Sequence, residues 1–119
     1  KLKENVIIDT TGSVIYTNKK ILEELKKHAL VVYLEAPASF KKEMYKNFLK
    51  NPKPIVWNRL YRKLDNENEK EALERCYSEL LEYRSNEYAK LADIVIPYHQ
   101  IKESGLNENQ FMALIEGKL

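Results

Sequence analysis

Residues 29–37 read Ala29-Leu30-Val31-Val32-Tyr33-Leu34-Glu35-Ala36-Pro37, and this stretch decides the fold class. Its apolar residues run without alternation from Ala29 to Leu34 and are then closed by Glu35-Ala36-Pro37. A strand without a polar face belongs in a parallel sheet covered on both sides. Working outward toward the N-terminus, Lys19 to His28 carries Ile21, Leu22 and Leu25 at helical spacing, with Asn18 or Thr17 as the N-cap. Before it, Val6-Ile7-Ile8 is a β-branched run that predicts a buried strand ending in the turn Asp9-Thr10-Thr11-Gly12-Ser13.

Toward the C-terminus, Ser39 opens a helix that Asn51-Pro52-Lys53-Pro54 stops. Residues 53–65 have no clean period and read as a flexible loop or short helix. Asn66 or Asn68 then starts a long helix to about Leu91, with a stripe of Leu73, Tyr77, Leu80 or Leu81, Tyr88 and Leu91. Ile94-Val95-Ile96 is a third strand ended by Pro97. Asn107 with Gln110 gives a capping-box signal for a last helix bearing Phe111, Leu114 and Ile115. Strands alternating with helices predict an α/β layer fold of one domain over residues 1–119.

Composition restricts the function classes. With 44% apolar and 32% charged residues, the chain is neither disordered nor a membrane protein of helical type. A single cysteine, Cys76, excludes an internal disulfide and suits a reducing, cytoplasmic setting; on a helix it reads as a small core or boundary residue. The sequence begins without methionine and enters a strand-like run at once, which reads as a piece of a longer chain. The net charge of +2 conceals a polarity. Lys41, Lys42, Lys46, Lys50, Lys53, Arg59, Arg62 and Lys63 stand against Glu43 alone, whereas residues 65–82 are strongly acidic. The basic block suits a polyanion, although a solvated helix face has the same composition.

Candidate chemistry gathers at few positions. Asp9 at a strand end is where nucleoside-triphosphate enzymes fix a carboxylate for Mg²⁺, and also where an ordinary turn places an Asp. Gly12 lets the backbone of that turn come close to a ligand. Arg84 falls in phase with Tyr77, Leu80 and Tyr88 on the inward face of the long helix. A desolvated guanidinium there calls for either a carboxylate partner or the anionic part of a ligand. Residues 52–63 combine cations with Trp57 and Tyr61. That mixture fits a mobile lid over phosphates, a stacking surface for single-stranded nucleic acid, or plain packing of Trp57. His28 and His99 have no partner at ligand spacing.

In order, these pieces resemble the shikimate kinase family over nearly the whole chain. The family's strand and Thr-Gly-Gly-Gly loop correspond to Ile7-Ile8-Asp9-Thr10-Thr11-Gly12-Ser13-Val14-Ile15, and its Val-Val-Tyr-Leu strand to Val31–Pro37. Its lid start, Arg-Pro-Leu-Leu, is Lys53-Pro54-Ile55-Val56 here, and its Arg-x-x-x-Tyr signature is Arg84-Ser85-Asn86-Glu87-Tyr88, followed by Ala92-Asp93-Ile94-Val95-Ile96. The resemblance implies a three-layer αβα core with a mainly parallel sheet, like that of P-loop kinases, and a lid over about 51–66. It implies ATP- and Mg²⁺-dependent phosphoryl transfer to a hydroxyl of a small molecule. By it, Gly12 and Ser13 touch the acceptor and Arg84 binds the acceptor's carboxylate. Lys53 reaches the transferring phosphate with Arg59 or Arg62, Lys46 lies over adenine, and Asp9 holds the metal.

The departures carry consequences. The glycine triplet is reduced to Thr11-Gly12-Ser13, the lid arginine is a lysine without bidentate geometry, and the segment from Lys53 to Arg84 is longer than usual. Another small hydroxylated acid or alcohol is therefore expected as acceptor. No Gly-x-x-x-x-Gly-Lys-Ser/Thr occurs, so the resemblance puts the phosphate-binding strand and helix ahead of Lys1. The fragment alone is expected to transfer no phosphate. The missing strand would lie between those starting at Val6 and Ala29, leaving a gap, a new pairing, or a strand borrowed from a second copy, with self-association following from the exposed edge. The competing expectation is a non-catalytic α/β module using residues 41–63 to bind nucleic acid or another partner.

Overall fold

The computed structural model describes residues 6–119, the side chains of residues 103 and 104 excepted. A turn of 3₁₀ helix at Gly12–Tyr16 leads into α1 (Lys19–His28), β1 (Val32–Glu35), a second 3₁₀ turn (Ala38–Phe40) and α2 (Lys41–Lys50). After an irregular segment come α3 (Glu69–Leu91), β2 (Ile94–Pro97), α4 (Tyr98–Ser104) and α5 (Glu108–Glu116). The architecture is mixed α/β, with β1 and β2 forming a two-stranded parallel sheet in the register Val32–Ile94, Tyr33–Val95, Leu34–Ile96. No helix among the described residues is long and apolar enough to cross a membrane.

Local signals account for most helix ends. The Asn18 side chain accepts from the Lys20 N–H and starts α1. Asn68 with Glu71, and Asn107 with Gln110, form reciprocal capping boxes at α3 and α5. Ser39 caps nothing: it lies inside the 3₁₀ turn, and α2 begins without a side-chain cap. The seven-residue α4 has too few turns to show a period in sequence, and it ends at Gly105, whose φ of 57° closes the helix in the left-handed region.

The strand expected at Val6–Ile8 does not form. These residues are coil and lie 53–75% exposed. An isolated extended segment gains nothing from β geometry until its N–H and C=O groups find a ladder, and here the sheet stops at β1. The other strand moves as well. Ala29 is consumed as the C-cap of α1, its N–H bonding Leu25 carbonyl, so β1 starts only at Val32.

Helical side chains meet both faces of the sheet. On one face Ile94, Ile96 and Val32 pack with Ile101, Phe111, Leu114 and Ile115; on the other, Tyr33 lies against Tyr88 of α3, ring centroids 5.3 Å apart. A second apolar row, Ala72, Cys76 and Leu80, runs along α3, one residue out of step with the expected Leu73–Tyr77 stripe but sharing Leu80. The Tyr45 and Phe48 rings of α2 cover Tyr77 at 5.5 and 4.9 Å. Tyr45 has its hydroxyl buried with no hydrogen-bond partner among the described residues. An unsatisfied buried hydroxyl costs about 1–3 kcal/mol. Tyr45→Phe is therefore expected to raise stability by about 1 kcal/mol in urea unfolding; a lower midpoint would show that the hydroxyl has a partner after all.

Asp93 ties the sheet to α1. Its Oδ2 accepts the Val31 N–H at 2.9 Å and its Oδ1 lies 3.4 Å from Lys26 Nζ, which also donates to Leu91 carbonyl at 2.8 Å. The Val31 N–H, then Lys26, hold the Asp93 carboxyl below its ordinary range. Hydrogen bonding to Arg75 does the same for Glu67. In both cases the unfolded chain takes up protons first as pH falls, so the stabilisation is full above the ordinary carboxylate values and drains away below about 4.5. Urea midpoints are expected to hold near neutrality and drop below that pH, and Asp93→Asn should lower the neutral midpoint while flattening the acid decline. An unchanged acid decline would remove Asp93 from that role.

Candidate functional site

A cleft of about 790 Å³ opens between the Thr11-Gly12-Ser13 turn, α2, the segment 53–56 and α3. Sequence places its parts by simple means. The 3₁₀ turn is folded by the Val14 N–H to Thr11 carbonyl bond of 3.2 Å, and Pro52 and Pro54 carry the chain away from α2 in extended form. Residues 77, 80, 81, 84 and 88 of α3 fall on the side facing these pieces, at the three- and four-residue steps of one helix face.

Arg84 is the centre of the cleft. Its Nε donates to the Tyr16 hydroxyl at 3.4 Å, its Nη2 to Val56 carbonyl at 3.2 Å, and its guanidinium lies 5.5 Å from the centroid of the Tyr16 ring. Among the described residues no carboxylate pairs with it. The internal salt bridge that the sequence left open is thus not formed, and Nη1 faces Gly12. One turn further along α3, Tyr88 donates its hydroxyl to Gly12 carbonyl at 2.6 Å. Burial raises the Tyr88 hydroxyl above its ordinary value, outweighing the nearby Arg84 charge, so it stays a donor throughout the neutral range. Gly12 is required by this close approach, not by its own backbone angles: a Cβ there would stand 2.7 Å from Tyr88 Oη and 3.3 Å from Arg84 Nη1.

The sequence-derived residues divide into two groups. Gly12, Ser13, Lys53 and Arg84 all line this one cleft. Asp9, Lys46, Arg59 and Arg62 do not. Asp9 is exposed upstream of the turn, and no group of three or more His, Cys, Asp or Glu side chains gathers to hold a metal among the described residues. Lys46 is exposed on α2, whereas Met44, Asn47 and Phe48 of the same helix face the cleft.

Residues 53–56 line the cleft, but residues 57–67 are strapped to the start of α3. Glu67 takes two hydrogen bonds of 2.9 Å from Arg75, whose guanidinium also donates to Arg62 carbonyl. The Arg62 N–H lies 3.4 Å from Cys76 Sγ, and the thiol in turn donates to Arg62 carbonyl at 3.5 Å. Tyr61 donates to Glu69 at 3.1 Å and packs on Trp57 at 5.3 Å. Asn58 and Arg59 form the tip, both with positive φ (50° and 68°), and the turn is closed by Leu60 N–H to Trp57 carbonyl at 3.0 Å. Arg59 in the left-handed region carries strain of roughly 1 kcal/mol. Of the basic block, only Lys63 reaches a carboxylate among the described residues, Glu69 at 3.6 Å.

Sequence reasoning missed Tyr16, Asn47 and Asn51. Tyr16 was hidden because nothing in a short 3₁₀ turn marks one side chain as inward. Asn47 was discoverable: it stands three residues after Met44 and four before Asn51, the helical steps that put all three on one side of α2. No protein-family model matches this chain, and no curated protein or solved structure shows significant similarity to it.

Proposed function

We propose that this chain forms the acceptor-binding and lid portion of an ATP-dependent small-molecule kinase resembling shikimate kinase, with its sheet belonging to a three-layer αβα core. The observation that carries the reading is the cleft in which Gly12, Lys53 and Arg84 meet, with no carboxylate among the described residues paired to either cation. A guanidinium so placed, without a carboxylate partner among the described residues, suits the carboxylate of an acceptor. Tyr16 and the Val56 carbonyl fix the guanidinium plane before ligand arrives, which is the pre-organisation that positioning requires. Lys53 adds a cation that neutralises charge on a transferring phosphate.

ATP supplies the phosphoryl group, and Mg²⁺ neutralises its phosphates. Asp9, exposed and outside the cleft, would hold that ion only in part, the rest of its coordination coming from phosphates and water. The cradle for those phosphates is supplied, in this reading, by residues ahead of Lys1.

The test is acceptor binding measured with and without Arg84. A charge-assisted hydrogen bond is worth about 1.5–3 kcal/mol, or roughly 10- to 150-fold in Kd. Arg84→Ala in the chain extended by its native upstream residues is expected to weaken acceptor binding by that factor while ATP·Mg²⁺ affinity stays within about twofold. Equal loss of both ligands, or of neither, would reject the assignment.

A further inference from the structure

We infer that the ligand anchored at Arg84 is an amphipathic carboxylate with an apolar, aromatic-sized body, not a polyhydroxylated ring. The inference rests on the reading of Arg84 as the anion anchor and adds the chemistry of the rest of the molecule. Along α3, Tyr77 precedes Arg84 by seven residues, so about 10 Å of helix axis separates them at 1.5 Å per residue. That interval is apolar: Leu80 and Leu81 occupy it on the cleft side. At the far end the Tyr77 ring stacks on Phe48, centroids 4.9 Å apart with 20° between planes, and Met44 extends the same wall.

Hydroxyls spread around a ligand ring would have to face this wall. Those turned toward α3 would lose their bonds to water without gaining a protein partner, an outcome that disfavours binding, and only those turned toward Asn47 or Asn51 could be satisfied. A phenyl or similar body does the opposite, shedding water from both surfaces and meeting the Phe48–Tyr77 pair edge-on or in offset stacking. Arg84, the Gly12 turn, Thr11 and Ser13 supply polar atoms for the anionic group, while Asn47, Asn51 and Lys53 add polar groups on the side of α2 and the segment after it. A ligand with its charge at the Arg84 end and an apolar body lying along α3 therefore matches that side of the cleft.

Three probes decide this by calorimetric titration of the whole chain: 3-phenylpropanoate, its neutral amide, and gluconate. The expected result is that 3-phenylpropanoate binds at least tenfold tighter than either, loses about tenfold on Arg84→Gln, and loses a similar factor on Phe48→Ala, whereas gluconate is unmoved by Phe48→Ala. Urea unfolding of each variant, run alongside, confirms that titrations use folded protein, and Phe48→Leu, which keeps apolar volume, should retain most of the affinity. Gluconate binding tighter than 3-phenylpropanoate, still dependent on Arg84, would overturn the apolar body and leave the anion anchor standing. Binding of neither anion, or binding indifferent to Arg84→Gln, would overturn the anchor itself and this inference with it.

Discussion

Leu80→Ala is expected to destabilise the chain by about 3 kcal/mol, within the 2–5 kcal/mol usual for emptying a buried leucine site. The side chain is 2% exposed, sits in one row with Ala72 and Cys76, and at the same time lines the cleft. The fully buried apolar set among the described residues is small, namely Ala72, Cys76, Leu80, Ile94, Ile96 and Ile115. The Cα extents of 55 × 36 × 22 Å describe an elongated body, and such a body has little core to spare. Because domains are stable by only about 5–15 kcal/mol, this one truncation removes a large share of the total. At a urea m-value of about 2 kcal/mol/M the midpoint should fall by roughly 1.5 M. Ile21→Ala, at a site 59% exposed, is the control and should shift it little. Equal shifts for both would mean that the α3 row is not the core.

Gly12→Ala should have the largest effect on the cleft for the smallest change in covalent structure. The new methyl would stand 2.7 Å from Tyr88 Oη, closer than carbon and oxygen can come without bonding. Tyr88 cannot simply swing away, since its hydroxyl is bonded to Gly12 carbonyl at 2.6 Å and its ring rests on Tyr33. Either the turn or the tyrosine must give, and Arg84 Nη1, 3.3 Å from the same methyl, moves with it. Affinity for a carboxylate ligand is expected to fall at least tenfold, because misplacing the guanidinium forfeits a directional charge-assisted bond. Tyr88→Phe removes the obstructing oxygen, so the double variant Gly12→Ala/Tyr88→Phe should bind better than Gly12→Ala alone. The coupling should lie in the range of 0.5–3 kcal/mol found for residues in contact. Strict additivity of the two changes would show that the methyl does not meet the hydroxyl.

Particular residues show where reading the sequence succeeds. The capping boxes of Asn68 and Asn107 were legible because a cap is a four-residue affair decided by side chains reaching their own backbone. Ile94-Val95-Ile96 was legible because β-branched residues between Asp93 and Pro97 have no better conformation. Val6-Ile7-Ile8 has the same local chemistry and stayed coil, which shows that composition states a preference for strand without supplying the partner. Residues 53–65, which show no period, divide in the same way: Lys53 through Val56 line the cleft, whereas Arg62 is bonded by Arg75 and Cys76 across thirteen and fourteen residues of chain, contacts that no local pattern reveals.

The sequence by itself determined α1, α3 and α5 with their asparagine caps, the β-branched run of β2 and the inward phase of Arg84, all of which depend on contacts within a few residues. Only the tertiary structure decided that Arg84 would meet Gly12, Tyr16 and Val56 with no carboxylate among the described residues paired to it, that Arg59 and Arg62 would lie outside that cleft, and that β1 would pair with β2 while residues 6–8 stay coil. Those outcomes depend on pairs far apart in the chain, such as Tyr88 with Gly12 at a separation of 76 residues, and the geometry of such pairs is fixed by packing and shape rather than by local preference.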